Sequence, residues 1–363
     1  MMRWRASIWR TLCAALLGLW ALAAPQAEAA AVGTAATETP RLFRQAEYIM
    51  GTVFEIQLYS TQEDRARNAL AEAFAVIRSH DQRLSDWLSD SELNQVLKAA
   101  RTSADPVPVS EALHADLQLA LDYARLSEGA LDPTIGPLVH FWGFRPAASP
   151  LLPLDWLQAR RAVGYQKLQL LTDPPRLRLL AEGMQLDFGA LGKGLALDRA
   201  AEVLRRQGIV AAALRTDSSM LFIGSPPQTA ATPTPGWPVL VRHPRQPERP
   251  VARLWLQDQA LATSGDDQQF REILGLRYSH LIDPRSGLPA PYTGSLTVIS
   301  PAATAADAWS TALLLQPPAR LPALLQAKDL QAVRVWHDRQ DWRCQVLGLP
   351  APAAPPVAEC LLP

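Results

Sequence analysis

Asp307 and Thr311 lie four residues apart in Ala306–Asp307–Ala308–Trp309–Ser310–Thr311, within a run of Ala, Trp and Leu that reads as a helix. At that spacing both side-chain oxygens emerge on one helical face. A carboxylate beside a hydroxyl suits a hard divalent cation such as Mg²⁺, which takes oxygen ligands and shares its shell with substrate phosphates. Taken alone, the same pair reads equally as a helix cap or a solvated face. A second segment, Asp187–Phe188–Gly189–Ala190–Leu191–Gly192–Lys193–Gly194, runs from a strand end into a helix. Glycines there let backbone approach a phosphate, the helix start offers unpaired N–H groups, and Lys193 adds a positive charge. It matches neither the P-loop nor the dinucleotide fingerprint, so by itself it is also an ordinary strand-to-helix turn.

Three further segments carry candidate chemistry. The Gly129–Ala130–Leu131–Asp132–Pro133–Thr134 loop is stiffened by proline and offers Asp132 as an acceptor for a ligand or for its own turn. His280, between Ser279 and the apolar Leu281–Ile282, reads as a general base, a phosphate ligand or a core histidine. Trp87 sits in the polar stretch Ser85–Asp86–Trp87–Leu88–Ser89–Asp90, where an indole can stack on a flat ligand or simply pack.

The elements that must position these residues are legible in outline. Thr52–Tyr59 alternates as a strand, and Asp64–His80 carries Leu70, Phe74 and Ile77 at helical spacing. Ser110 caps a second helix with Leu113, Leu117, Leu121 and Ala124 on its apolar face, closed by Gly129. Gly194–Gln207 reads as a third helix ending at Gly208, followed by strands over Ile209–Leu214 and Met220–Ile223. Ser225–Pro238, rich in Pro, Thr and Ala, reads as an insertion, because strand-like segments resume at Val239 and Leu254. Ser295–Ser300 is a strand and Ala302–Leu315 the helix that bears Asp307. Strands and helices mixed in this way indicate an α+β domain.

The 363 residues, 48% hydrophobic and 19% charged, suffice for one large domain or two intimate subdomains. Lys+Arg and Asp+Glu are both 35, so no global field favours nucleic acid or an anionic membrane. Arg3, Arg5 and Arg10, the apolar stretch Leu12–Ala24 and the small-x-small triplet Ala27–Glu28–Ala29 read as a signal peptide over 1–29. Its apolar stretch is short for a bilayer span, and Cys13 lies inside it, where no lipoprotein anchor forms. The expected product is exported and periplasmic, soluble or loosely associated with the inner membrane. A linker over 30–41, a folded domain over 42–347 and a flexible Pro/Ala-rich tail over 348–363 complete the division. In an oxidising compartment Cys344 and Cys360 can pair, closing a C-terminal loop, although Cys360 falls in that tail.

Taken in order, Met50–Gly51–Thr52, the Trp87 segment, the Asp132–Pro133 loop with Trp142–Gly143–Phe144, the Asp187–Gly194 turn, Thr263–Ser264–Gly265–Asp266, Ser279–Pro289 and Asp307–Thr311 span nearly all of the expected domain. With these motifs the chain resembles the FAD:protein FMN transferases, the ApbE-type flavin transferases. That resemblance implies a single mixed α+β catalytic domain of two intimate subdomains. It also implies an enzyme that uses Mg²⁺ to split FAD and places FMN, through a phosphoester, on a Thr or Ser of an exported or membrane-bound redox subunit. Carried over motif by motif, Met50, Trp87, Ala130, Leu131, Asp132, Asp187, Lys193 and Ile282 resemble FAD contacts. Asp307, Thr311 and the backbone carbonyl of Ala190 resemble metal ligands, and His280 resembles the catalytic residue.

The chain departs from the family pattern in three places. Arg215–Thr216–Asp217–Ser218–Ser219 stands where a Gly-Gly pair is usual, Ala190 stands where a second Gly or a hydroxyl residue often occurs, and Ser310 stands where some members have Asp. Two alternatives therefore accompany the transferase reading: an FAD pyrophosphatase that gives FMN and AMP, and a non-catalytic flavin-binding protein.

Overall fold

A hairpin opens the domain. In the computed structural model, which describes residues 39–145, 152–228, 235–266, 269–273, 275–291, 294–348 and 358–362, β1 (Arg41–Ile49) and β2 (Thr52–Ser60) are joined by Met50 and Gly51 alone. Both joining residues have positive φ, 54° and 73°, the turn whose twist matches that of paired strands. Regular structure thus begins one residue before the expected domain start at Leu42. The expected signal peptide and most of the linker lie outside the described residues. α1 (Glu63–Leu84) runs past its expected end at His80 and buries Ala66, Ala69, Leu70, Ala73, Phe74 and Ile77 along one stripe.

α2 (Glu92–Thr102) and α3 (Glu111–Leu126) start on serine caps, Ser91 accepting from the Asn94 N–H at 3.1 Å and Ser110 from that of Leu113 at 3.0 Å. β3 (Val107–Pro108) lies between them. α4 (Gly136–Phe141), α5 (Pro153–Ala162), β4 (Leu168–Thr172) and β5 (Pro175–Leu179) follow, and β3, β5 and β4 pair in that order as a small sheet. α6 (Gly192–Arg206) leads into β6 (Ala212–Arg215), β7 (Ser219–Ile223), β8 (Trp237–His243), β9 (Gln246–Leu256) and β10 (Ala260–Gly265). Two small hairpins come next, β11 (Phe270–Ile273) with β12 (Leu276–Ser279) and β13 (Ile282–Asp283) with β14 (Leu288–Pro289). β15 (Gly294–Ser300), α7 (Ala303–Leu314), α8 (Leu321–Ala327), β16 (Gln331–Asp338), β17 (Asp341–Leu347) and β18 (Ala358–Cys360) complete the chain.

The main sheet has eight strands in the order β1-β2-β6-β7-β10-β15-β16-β17, each neighbouring pair antiparallel. Period-two alternation gives it two faces. Ile56, Leu214 and Leu221 pack against α1 and α6. Ala213 and Phe222 instead pack against Trp237, Val239 and Leu254 of β8 and β9. A third core joins Leu93, Leu117, Phe188, Leu191, Trp309 and Leu313, so α2, α3 and α7 close around the Asp187–Gly194 turn. The α+β class is as expected, and residues from Pro40 to the end form one compact unit.

Of the expected tail over 348–363, only residue 348 and residues 358–362 are described, and the latter include a short strand. Ala358–Cys360 pairs in register with Ala252–Leu254 of β9, and Cys360 forms a disulfide with Cys344 of β17. The signal is weak in sequence because β18 is only three residues long and its partner is about a hundred residues away.

Among the described residues no helix is long and apolar enough to cross a membrane.

α6 and α7 approach closely at Gly194, beside the candidate site. A Cβ there would stand 2.3 Å from the carbonyl oxygen of Ala303 and 2.8 Å from Cα of Thr304. Both obstacles are backbone, so they cannot swing aside. Asp198, one turn further along α6, completes the joint. Its two oxygens accept from the N–H groups of Ala303 and Thr304, each at 2.8 Å, and cap α7 from another helix where Ala302 has no side-chain acceptor. Gly194→Ala is therefore expected to destabilise the protein by about 1–3 kcal/mol, overpacking outweighing the roughly 1 kcal/mol gained in helix propensity. A lower denaturant midpoint at unchanged m-value checks this, and an unchanged or higher midpoint would refute it.

Candidate active site

Asp307 lies within the α6–α7 joint. Its carboxylate is 5% exposed and accepts from the backbone N–H of Gly194 at 3.0 Å through Oδ2 and from the Ser219 hydroxyl at 3.1 Å through Oδ1. Among the described residues it has no ion-pair partner, and burial pushes its pKa above the ordinary carboxylate value, with the charge of Lys193 pulling the other way. Next to it the hydroxyl of Ser264 lies 2.8 Å from that of Ser310 and 2.9 Å from that of Thr311, while Ser310 also donates to the Asp307 carbonyl at 2.9 Å. α7 and β10 thus gather one carboxylate and three hydroxyls. No nitrogen or sulfur ligand joins them, and no group of three His, Cys, Asp or Glu side chains placed to hold a metal occurs among the described residues. An all-oxygen set around a single buried, unneutralised carboxylate fits a hard cation that completes its shell with phosphate oxygens and water.

The turn that precedes α6 is fixed from two directions. The N–H of Asp187 donates to the Pro133 carbonyl at 2.8 Å, and Ile135 makes an isolated parallel bridge to Gln185. The Asp132–Pro133 loop therefore lies against the start of the glycine turn. Asp187 caps that turn, Oδ1 accepting from the Gly189 N–H at 2.8 Å. Lys193 reaches back to the Gly189 carbonyl at 3.3 Å and acts electrostatically on both Asp307 and His280. Met50, at the tip of the first hairpin, donates its N–H to Asp81 at 3.3 Å and rests its methyl against Gly192 at the first turn of α6. Ala190 lies within the turn, partly buried against Phe188, Leu191 and their neighbours.

Arg145 carries no mark in the sequence. Its guanidinium bridges Asp86 and Asp187, the second at 2.5 Å, and covers one face of Trp87 at 4.4 Å from the ring centre. The Trp87 ring is otherwise 59% exposed and lines an open cleft of about 620 Å³ with Phe144, Gln269 and Phe270. Asp86 is pushed up to about 7, first by burial and then by the charge of Asp187. Two carboxylates thus share one cation beside an exposed indole.

His280 lies at the inner edge of the same region. Its Nδ1 is 3.1 Å from the Gln269 carbonyl oxygen, and its ring meets Phe144 edge-on at 6.3 Å. A carbonyl only accepts, so Nδ1 carries the proton and Nε2 holds the lone pair. Burial lowers the His280 pKa below the ordinary histidine value, Lys193 lowers it further, and Asp187 and Asp266 partly offset both. At neutral pH the ring is therefore neutral.

Four of the residues singled out in the sequence spend their side chains on contacts within the fold. Both oxygens of Asp132 are occupied locally: Oδ1 accepts from the Thr134 N–H at 2.8 Å and hydroxyl at 2.6 Å, and Oδ2 from the Tyr165 N–H at 2.8 Å. Its side chain holds the loop in shape, as a turn former does. Ala130 and Leu131 are core residues packed near Phe188 and Leu191. Ile282 is buried with Leu138 and Val163, against Trp142 and Phe144. These three can shape a wall, with only backbone to offer a polar ligand.

A family model described as the ApbE family matches residues 50–334, the stretch that contains every one of these segments. A FAD:protein FMN transferase of Klebsiella pneumoniae is 30% identical over 301 residues, covering 81% of this chain and 84% of its own length. One of Treponema pallidum is 32% identical over 288 residues, covering 75% and 78%. Among solved structures, the flavin transferase ApbE from Vibrio cholerae superposes with a TM-score of 0.73 at 25% identity, covering 85% of this chain and 97% of its own. The apbe protein of Thermotoga maritima, at 23% identity and a TM-score of 0.75, shares the fold. With the motifs in one order, the hydroxyl-rich Asp307 joint and the glycine turn beside it, the chain belongs to the ApbE family.

Proposed function

We propose that this protein transfers FMN from FAD to a Thr or Ser hydroxyl of an exported electron-transport flavoprotein, releasing AMP, with Mg²⁺ bound at Asp307. The observation that carries the reading is the Asp307 carboxylate itself, buried with no ion-pair partner among the described residues, beside three hydroxyls and the N-terminal turn of α6. The names of the similar proteins support the reaction class.

In this reading Asp307, Thr311 and the Ala190 carbonyl hold the cation, which when bound supplies positive charge against the pyrophosphate. Lys193 and the N–H groups of the glycine turn face phosphate oxygens. Trp87 gives a flat surface to an aromatic ring of FAD, and Met50, Asp187 and the walls formed by Ala130, Leu131 and Ile282 bound the nucleotide. His280, with its lone pair on Nε2, takes the proton of the acceptor hydroxyl as that oxygen attacks the FMN phosphorus and AMP departs with the pyrophosphate bridging oxygen. The Arg215–Ser219 departure fits this assignment, because Ser219 supplies a hydroxyl to Asp307.

Loss of the carboxylate charge in Asp307→Asn is expected to slow transfer on the order of 10³-fold, the equivalent of about 4 kcal/mol. It is also expected to abolish the upward shift in melting temperature that Mg²⁺ gives the wild type. Full transfer in chelator-treated buffer, or an undiminished Mg²⁺ shift in the variant, would remove the metal assignment.

For His280→Ala the expected loss is roughly 10²- to 10⁴-fold in kcat with FAD affinity kept. Because the His280 pKa is lowered, the wild-type rate is expected to hold as pH falls to the ordinary histidine value near 6.5 and to decline only below it. A decline centred above 6.5, or a variant that no longer binds FAD, would contradict the role. FMN and AMP accumulating without labelled acceptor would favour the pyrophosphatase.

Export is part of the same proposal. Fractionation and N-terminal sequencing are expected to recover a soluble periplasmic form beginning near Ala30. A full-length cytoplasmic protein or a lipid-modified membrane form would contradict it.

A further inference from the structure

On the face of the main sheet opposite Asp307 lies a second cavity, of about 290 Å³, walled by Met220, Phe222, Val239 and Leu240 with the guanidinium of Arg215 at its side. Ser219 and Met220 are consecutive in β7, so their side chains stand on opposite faces. Ser219 reaches Asp307, whereas Met220 lines this cavity. The two sites are therefore separate, back to back through one strand.

Arg215 is incompletely satisfied. Its Nε is buried and has no hydrogen-bond partner, and no ion pair to it forms among the described residues. Its cross-strand neighbour on β2 is Glu55, which pairs with Arg44 at 3.5 Å. The buried Nε is closed off from the cavity, but the Arg215 side chain also lines the cavity wall, and a guanidinium matches a carboxylate in two parallel hydrogen bonds. β8 and β9 lose register between Val241 and His243, a bulge that places Arg242, a second cavity-lining cation, at the irregularity. Glu248 also borders the cavity, and among the described residues it forms no ion pair with either arginine.

We infer that this cavity is a binding site for a small carboxylate with an apolar body, its carboxylate on Arg215 and its hydrocarbon against Met220, Phe222, Val239 and Leu240. A volume near the lower end of small-molecule sites holds about one ring and a carboxyl group. The site is independent of the transferase reading, since none of these residues belongs to the Asp307 cluster.

The test is calorimetric titration of the mature protein with phenylacetate, with uncharged phenylacetamide as the matched control. Saturable one-to-one binding of phenylacetate is expected in the millimolar range, as befits a ligand of about ten heavy atoms. Phenylacetamide should bind at least about tenfold more weakly, as should phenylacetate to Arg215→Gln, and Glu248→Gln should strengthen binding by removing a like charge. Absence of saturable binding, equal affinity for the amide, or undiminished affinity in Arg215→Gln would each overturn the site. The amide comparison needs no variant, so it decides the matter even if Arg215→Gln fails to fold.

Discussion

Burying a carboxylate without a cation is expensive, and the rest of the structure is the arrangement that makes Asp307 tolerable. The α6–α7 joint closes this tightly because residue 194 lacks a Cβ, and the Gly194 N–H, unpaired in the first turn of α6, donates to Asp307. Asp198 holds the same joint from α6 and satisfies the start of α7, where alanines offer nothing. The second oxygen is met by Ser219, carried on β7 of the central sheet. Two hydrogen bonds reduce the cost of the charge without cancelling it, and the raised pKa records the remainder. In the proposed function, a hard cation meets that remaining cost.

Around that point the supports come from distant parts of the chain. The Asp132 loop is held by Thr134 and by the Tyr165 N–H and docks on the glycine turn through Pro133, so its position and that of the turn are fixed together. Arg145 draws Asp86 and Asp187 to one guanidinium and lies against Trp87, which lines the open cleft beside it. Beneath these, Asp116 is buried between Arg83 at 2.7 Å and Arg199 at 3.3 Å, tying α1, α3 and α6 together under the site. Geometry at the site is thus inherited from helix packing rather than from the loops alone.

Much of this is legible in the sequence where the signal is local. The Asp307/Thr311 spacing, the glycine turn into α6 and the Ser110 cap depend on neighbours within a few residues, and their elements form where the periodicity places them. What escapes depends on contacts through space. Asp198 reads as one more charge on an amphipathic helix until α7 is brought against it. Arg145 follows an aromatic triplet with nothing to mark its two carboxylates. Ser219 reads as a bulky replacement for glycine, yet its hydroxyl lands on Asp307. In the other direction, Asp132 and Ile282 stand out by residue type and motif, and both side chains hold the fold. α2 escapes because Leu93, Leu97 and Ala100 make too short a stripe to stand out, and β18 because three residues carry no period.

At the centre of the proposed function, Asp307 and Thr311 hold a divalent cation where FAD phosphates meet the glycine turn. Anomalous diffraction from crystals grown with FAD and Mn²⁺ tests this most directly. The expected result is a single strong manganese peak within coordination distance of an Asp307 carboxylate oxygen and the Thr311 hydroxyl, with a phosphate oxygen of the flavin nucleotide on the same ion. Manganese bound elsewhere, or nucleotide phosphates seated with no metal at Asp307, would contradict it.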